Sequence, residues 1–178
     1  EKSIKAVEES IESDRYIFLS AQKDSEVEKP TAEDVYAIGT VGRIQKMIKL
    51  PDGRIKALVQ GIAKGQILEF IKKRSFFKVR IECLTGSDPE ELNIEDEALM
   101  RNVKEASEKL LALKGELSGD VGDLLSHIES PGKLADLVAS NLNLRVEDAQ
   151  ELLETTEACE RLKKVNDLLA RELDLSTV

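Results

Sequence analysis

Hydrophobic and polar positions follow two different periods along the chain, and the change falls near residue 86. Residues 3–12 place Ile4, Val7 and Ile11 on one face of a short helix. Tyr16-Ile17-Phe18-Leu19-Ser20-Ala21 is a continuous apolar run of strand length, the pattern of a strand buried on both faces. The polar stretch 22–34, which contains Pro30, predicts a long exposed loop. Strand character resumes from Tyr36 to about Leu50, with a bend or bulge expected at Gly39 and Gly42. Pro51-Asp52-Gly53 is a hairpin signal, because Asp-Gly tolerates the positive φ of a tight turn. Residues 54–60 set Ile55, Ala57 and Val59 against Arg54, Lys56 and Gln60, with Leu58 breaking the polar face. Gly61-Ile62-Ala63-Lys64-Gly65 reads as a turn before a further strand at 67–71. In the last strand Phe77, Val79, Ile81 and Cys83 face inward, and Lys78, Arg80 and Glu82 face outward.

After Gly86-Ser87-Asp88-Pro89 the period becomes helical. Leu99, Val103, Ala106, Leu110 and Leu113 form an amphipathic stripe that Gly115 ends. A second helix at about 120–128 carries Val121, Leu124, Leu125 and Ile128. Ser130-Pro131 supplies an N-cap and a preformed first turn for a third, with Leu134, Leu137 and Val138. A short helix covers roughly 146–154. Thr156 is expected to cap a last one at 157–175, with Leu162, Val165, Leu169 and Leu173 on its apolar side. The fold class is therefore α+β: a curved, mostly antiparallel β unit over 1–86, then an all-α helical bundle over 87–178.

Composition narrows the chemistry. Of 178 residues only 3% are aromatic and none is Trp, which argues against aromatic cages and extended base-stacking platforms. The net charge of −9 divides unevenly: 16 Lys/Arg against 13 Asp/Glu in 1–84, and 10 against 22 in 85–178. Any nucleic-acid role thus falls to the first half. Cys83 and Cys159 form no CxxC pair, which fits a reducing cytosol, and both are expected to be inert. No apolar run reaches membrane-spanning length and the start lacks an apolar signal region, so a cytoplasmic protein without membrane partners is expected.

His127 is the only histidine, which excludes a multi-histidine metal site, and its position at a predicted helix end suits pairing with carbonyls. Glu90-Glu91 and Glu95-Asp96-Glu97 suit the positive end of a helix better than a cation. Gly61 to Gly65 lacks the spacing of a phosphate-binding loop, and Gly132-Lys133 is followed by Leu134, which reads as an exposed helix start. No catalytic, cofactor or metal residues are assigned. The one sharp electrostatic feature is Lys72-Lys73-Arg74-Ser75-Phe76-Phe77-Lys78-Val79-Arg80. Its candidates for nucleic acid are Lys72, Lys73, Arg74, Lys78 and Arg80, with Phe76 as the exposed aromatic, although a polar-out hairpin explains the same pattern.

Several segments resemble the N-terminal domain of the Lon family of ATP-dependent proteases. They are Glu1-Lys2-Ser3-Ile4, Ile17-Phe18-Leu19-Ser20-Ala21-Gln22-Lys23-Asp24, Ile38-Gly39-Thr40-Val41-Gly42-Arg43-Ile44 and Lys49-Leu50-Pro51-Asp52-Gly53-Arg54-Ile55-Lys56 with Ala57 to Gly61. In the helical half they are Ser130-Pro131-Gly132-Lys133-Leu134-Ala135-Asp136-Leu137 with Val138 to Ser140, Gln150-Glu151-Leu152-Leu153-Glu154 and Glu160-Arg161-Leu162. The resemblance implies a PUA-like barrel followed by a helical bundle. It also implies a parent serine protease with a Ser–Lys dyad, driven by ATP and Mg, working in quality control as a homo-oligomer, expected to be hexameric. The dyad and nucleotide site fall outside these residues, so this part is expected to bind substrate and support assembly without turnover or cofactor of its own. Similar domains carry a further strand ahead of the Glu-Lys-Ser-Ile pattern, and an unpaired sheet edge is the expectation here.

The leading function is capture of exposed apolar or unfolded segments of damaged proteins, with Met47, Leu50, Leu58, Phe70 and Phe76 as candidates because they break the polar face or flank turns. RNA binding through residues 72–80 is the alternative. A third reading gives the stripe of the last helix to assembly, and the same stripe could be satisfied inside the bundle.

Overall fold

The computed structural model describes residues 1–71, 75–86 and 88–178. They divide into two compact units, Glu1–Thr85 and Gly86–Val178.

The first unit opens with helix α1 (Lys2–Glu12). It ends where Arg15 turns left-handed at φ 68° and donates its backbone N–H to the Ser10 carbonyl at 2.8 Å. Ser10, buried, donates its hydroxyl to the Tyr16 carbonyl at 2.7 Å and so ties the helix to the strand that follows. Four antiparallel strands form one sheet in the order β1 (Tyr16–Leu19), β2 (Ile38–Lys49), β3 (Ile55–Ile71) and β4 (Lys78–Leu84). A 3-10 turn at Ala32–Asp34 lies inside the long loop between β1 and β2.

Three sequence expectations change. The run at 16–21 is not a doubly buried strand. β1 is a four-residue edge with Tyr16 and Leu19 exposed, and only Ile17 and Phe18 turn toward apolar neighbours. Gly61 to Gly65 is not a turn, because β3 runs unbroken through it, and its glycines admit neighbours. A Cβ on Gly65 would come within 3.0 Å of the Phe18 ring and 3.1 Å of Ile81. Cys83 lies exposed on β4, away from any core. Bulges explain why alternation misleads here: Gln45 is unpaired between Ile44 and Lys46, Ile62 is passed over opposite the Val41/Gly42 step, and Leu68 lies between Ile67 and Glu69.

The second unit follows its sequence signals more closely. Its helices are α2 (Ile94–Leu113), α3 (Gly119–His127), α4 (Pro131–Ser140), α5 (Val146–Glu154) and α6 (Ala158–Ser176). Asn93, Ser118 and Ser130 cap α2, α3 and α4 by accepting from the amides of Asp96, Val121 and Lys133. α6 is capped by Glu157 and not by Thr156, since the Glu157 carboxylate reaches two amides, Cys159 at 3.1 Å and Glu160 at 2.7 Å. α6 packs against α2, α4 and α5, and Val103, Leu110, Leu134, Val138, Leu162, Val165 and Leu169 fill the core. Leu113 and Leu124, apolar by pattern, remain over half exposed.

Candidate functional site

The β2–β3 hairpin owes its tip to Leu50-Pro51-Asp52-Gly53. The Gly53 amide donates to the Leu50 carbonyl at 3.0 Å, Gly53 takes φ 87°, and Asp52 accepts from both the backbone and the guanidinium of Arg54. β1 reaches β2 only as far as Arg43, and β4 joins β3 only from Lys64 onward. Between those limits and the tip, residues 45–60 form a two-stranded ribbon with no third strand beside it among the described residues.

Cross-strand register sorts the ribbon's side chains. Lys46 lies opposite Leu58 and Ile48 opposite Lys56, so these four share one face; Met47 opposite Ala57 and Lys49 opposite Ile55 share the other. On the first face Leu58 is 64% and Ile48 50% exposed. On the second, Met47 and Ile55 are half-buried and Lys49 pairs with Glu8 of α1 at 3.4 Å. Leu50 is half-buried beside the turn.

The apolar candidates therefore separate. Met47, Leu50 and Leu58 belong to the ribbon, with Leu58 alone fully outward, whereas Phe70 and Phe76 lie toward the other end of β3. Leu58 and Phe70 are twelve positions apart on one strand, a contour of about 40 Å at the usual strand rise. There Phe70 packs edge-on against Phe77 with ring centres 5.6 Å apart, and the Lys2 ammonium sits 4.8 Å above Phe77. The expected roles of the two adjacent aromatics are reversed: Phe76 is half-buried and Phe77 is 38% exposed. The strand begins at Lys78, so its alternation never governs Phe77.

Lys72, Lys73 and Arg74 lie outside the described residues. Lys78 is exposed, and Arg80 is engaged by Glu69, with its Nε 2.9 Å from the carboxylate.

Sequence reasoning passed over Ile48 and the charge of this hairpin. From residue 35 to residue 68 there are six cations (Arg43, Lys46, Lys49, Arg54, Lys56 and Lys64) and a single carboxylate, Asp52. That count was available without coordinates. Ile48's outward direction was not, because the Gln45 bulge resets the alternation.

The helical unit spends its polar groups on its own architecture. Asp88 accepts from the Ser130 hydroxyl and, at 2.9 Å, from the Gly132 amide at the start of α4. Gly132 is buried, not exposed as expected, because Arg161 and Asp88 occupy the space a side chain would need. Arg161 is itself buried, 3.0 Å from Asp136 and donating to the Thr155 carbonyl at 2.9 Å. An open groove of about 730 Å³ runs past Leu92, Met100, Ile128 and Pro131, but its lysine, Lys104, is committed to the Ser126 and Ile128 carbonyls. Burial pushes the Cys159 thiol up to about 11, with Asp96 adding to the effect, so it is no nucleophile at neutral pH. His127 places Nδ1 2.6 Å from the Asp123 carbonyl of its own helix.

No group of three or more His, Cys, Asp or Glu among the described residues is placed to hold a metal ion. Gly61 to Gly65 lies within a strand, and the Gly132 amide at the start of α4 already donates to the Asp88 carboxylate.

A family model of the ATP-dependent protease La (LON) substrate-binding domain matches residues 1–171. The chain is 49% identical over its full length to Lon protease of Desulfatibacillum aliphaticivorans, spanning 22% of that protein. It is 46% identical over 98% of its length to Lon protease of Geobacter metallireducens, spanning 21% of it. The N-terminal domain of Mycobacterium avium complex Lon protease shares the fold, with a TM-score of 0.72 over 96% of this chain and 86% of that one, at 19% identity. The chain thus spans about a fifth of the length of the curated relatives it matches. It belongs to the family of Lon substrate-binding domains.

Proposed function

We propose that this chain is the part of an ATP-dependent protease that takes hold of unfolded protein substrates, and that the β2–β3 ribbon makes the contact. The observation that carries the reading is the pair of large aliphatic side chains, Ile48 and Leu58, at least half exposed on one face of a two-stranded ribbon. Burying two such side chains offers about 1 kcal/mol each at their present exposure, enough for weak, sequence-tolerant capture.

The rest of the activity is assigned to the longer protein. ATP and Mg act elsewhere in it, cleavage is by a Ser–Lys pair outside these residues, and the subunits form a homo-oligomer in the cytoplasm. No helix among the described residues is long and apolar enough to cross a membrane. The apolar stripe of α6 is largely used within the bundle, so any share of assembly falls to its last turn, where Leu175 is exposed.

Fluorescence anisotropy of the chain against a labelled, permanently unfolded protein tests the capture reading. Ile48→Ser and Leu58→Ser should each weaken binding about fivefold, with the melting temperature little changed because half of Ile48 and more of Leu58 already face water. Unaltered binding in the double variant would remove the ribbon from the reading. Loss on Phe70→Ala instead would move the site to the far end of β3.

A further inference from the structure

Resting on that capture reading, we propose that the ribbon selects by charge as well as by hydrophobicity. Its occupant is an extended polypeptide segment in which carboxylates and aliphatic residues stand two positions apart.

The outward row is exposed throughout: Arg43, Gln45, Lys46 and Ile48 on β2, and Lys56, Leu58 and Gln60 on β3. Each aliphatic side chain has a lysine directly across from it, Leu58 facing Lys46 and Ile48 facing Lys56. Gln45 and Gln60 bond to one another at 3.0 Å, closing the row at the base of the ribbon. Two further cations of the ribbon are spoken for, Lys49 by Glu8 and Arg54 by Asp52. Arg43, Lys46 and Lys56 have no carboxylate within ion-pairing distance among the described residues.

An extended segment laid along this face presents alternate side chains about 7 Å apart, which is the spacing of Lys46 from Ile48 and of Lys56 from Leu58. A glutamate beside each lysine and a leucine or valine beside each aliphatic would satisfy charge and apolar contact in one register. A basic segment would meet like charge with nothing to offset it. The occupant is a polypeptide and not a single-stranded nucleic acid because the spaces between the cations hold isoleucine and leucine, which give bases no ring to stack on.

Three labelled unstructured peptides of equal length and identical aliphatic content, carrying Glu, Gln or Lys at the alternate positions, decide the matter by anisotropy against the 178-residue chain. The Glu peptide should bind about tenfold more tightly than the Gln peptide, and the Lys peptide least. Lys46→Gln with Lys56→Gln should erase the difference between Glu and Gln peptides without weakening the Gln peptide. Lys46→Arg with Lys56→Arg should preserve it, and about 500 mM NaCl should remove it. Equal binding of all three peptides, still weakened by Leu58→Ser, would overturn charge selection and leave capture standing. Failure of every peptide to bind would overturn capture itself, and the inference with it. A poly(U) oligonucleotide that bound more tightly than the Glu peptide, and was lost in the Gln double variant, would overturn the polypeptide occupant.

Discussion

Removing the Arg161 side chain would leave the Thr155 and Thr156 carbonyls and the Asp136 carboxylate without their shared donor, and would open space beside Gly132. Asp136 and Thr156 are exposed and Thr155 is half-buried, so hydration recovers only part of the loss. Arg161→Ala should cost about 2–4 kcal/mol in urea unfolding followed by helical circular dichroism. Arg161→Lys should recover little, because an ammonium cannot reach from Asp136 to the carbonyls as the planar guanidinium does. The same geometry gives a physical reason for Ser130-Pro131-Gly132: the serine caps α4 and holds Asp88, the proline presets the first turn, and the glycine leaves room for Arg161.

Elements differed in how plainly the sequence announced them. The helices were legible because each carries a 3.6-residue stripe, to which α2, α3, α4 and α6 add a side-chain cap, and α5 over Val146–Glu154 has the span its pattern predicts without one. The strands were legible in direction but not in number, since two expected strands are the single β3, nor in sidedness, since each bulge shifts the alternation by a residue that composition does not mark. The glycines of β3 show the difficulty best. Two glycines four residues apart read as a turn, yet Gly65 is where the Phe18 ring, Ile81 and Val41 converge, whereas Gly61 has only the Thr40 methyl nearby, at 3.7 Å. Gly65→Ala should therefore destabilise the chain by about 1–3 kcal/mol, as overpacking does, while Gly61→Ala should stay within about 0.5 kcal/mol. Thermal melts of the two variants make the comparison, and equal effects would mean that the convergence at Gly65 is easily relieved. Of the candidate surface, Leu58 was visible as a break in a polar face; Ile48 was hidden because Lys-Met-Ile-Lys has no clean alternation until the bulge at Gln45 is known.

At the scale of the whole molecule the two units differ in how they are held. Of the fourteen fully buried apolar residues among those described, Ile44 alone lies in the first unit, whose order thus rests more on backbone ladders than on a packed interior. Hydrogen exchange should accordingly be faster along β2, β3 and β4 than in α2, α4 and α6, with the slowest amides near Val103, Leu134, Leu162 and Val165. Sheet amides that outlast those of α6 would show that the ladders suffice without a deep core. The two-stranded ribbon also has a mechanical consequence. Tension applied at Gly53 along the ribbon axis is borne first by two covalent strands side by side, and no hydrogen bond between β2 and β3 need open to transmit it. The load arrives at the β1–β2 and β3–β4 ladders, whose bonds lie across the strand direction and must slide together to fail. Tension applied sideways at the same point would instead part those ladders one bond at a time, so this unit is built to withstand a pull from one direction far better than from another.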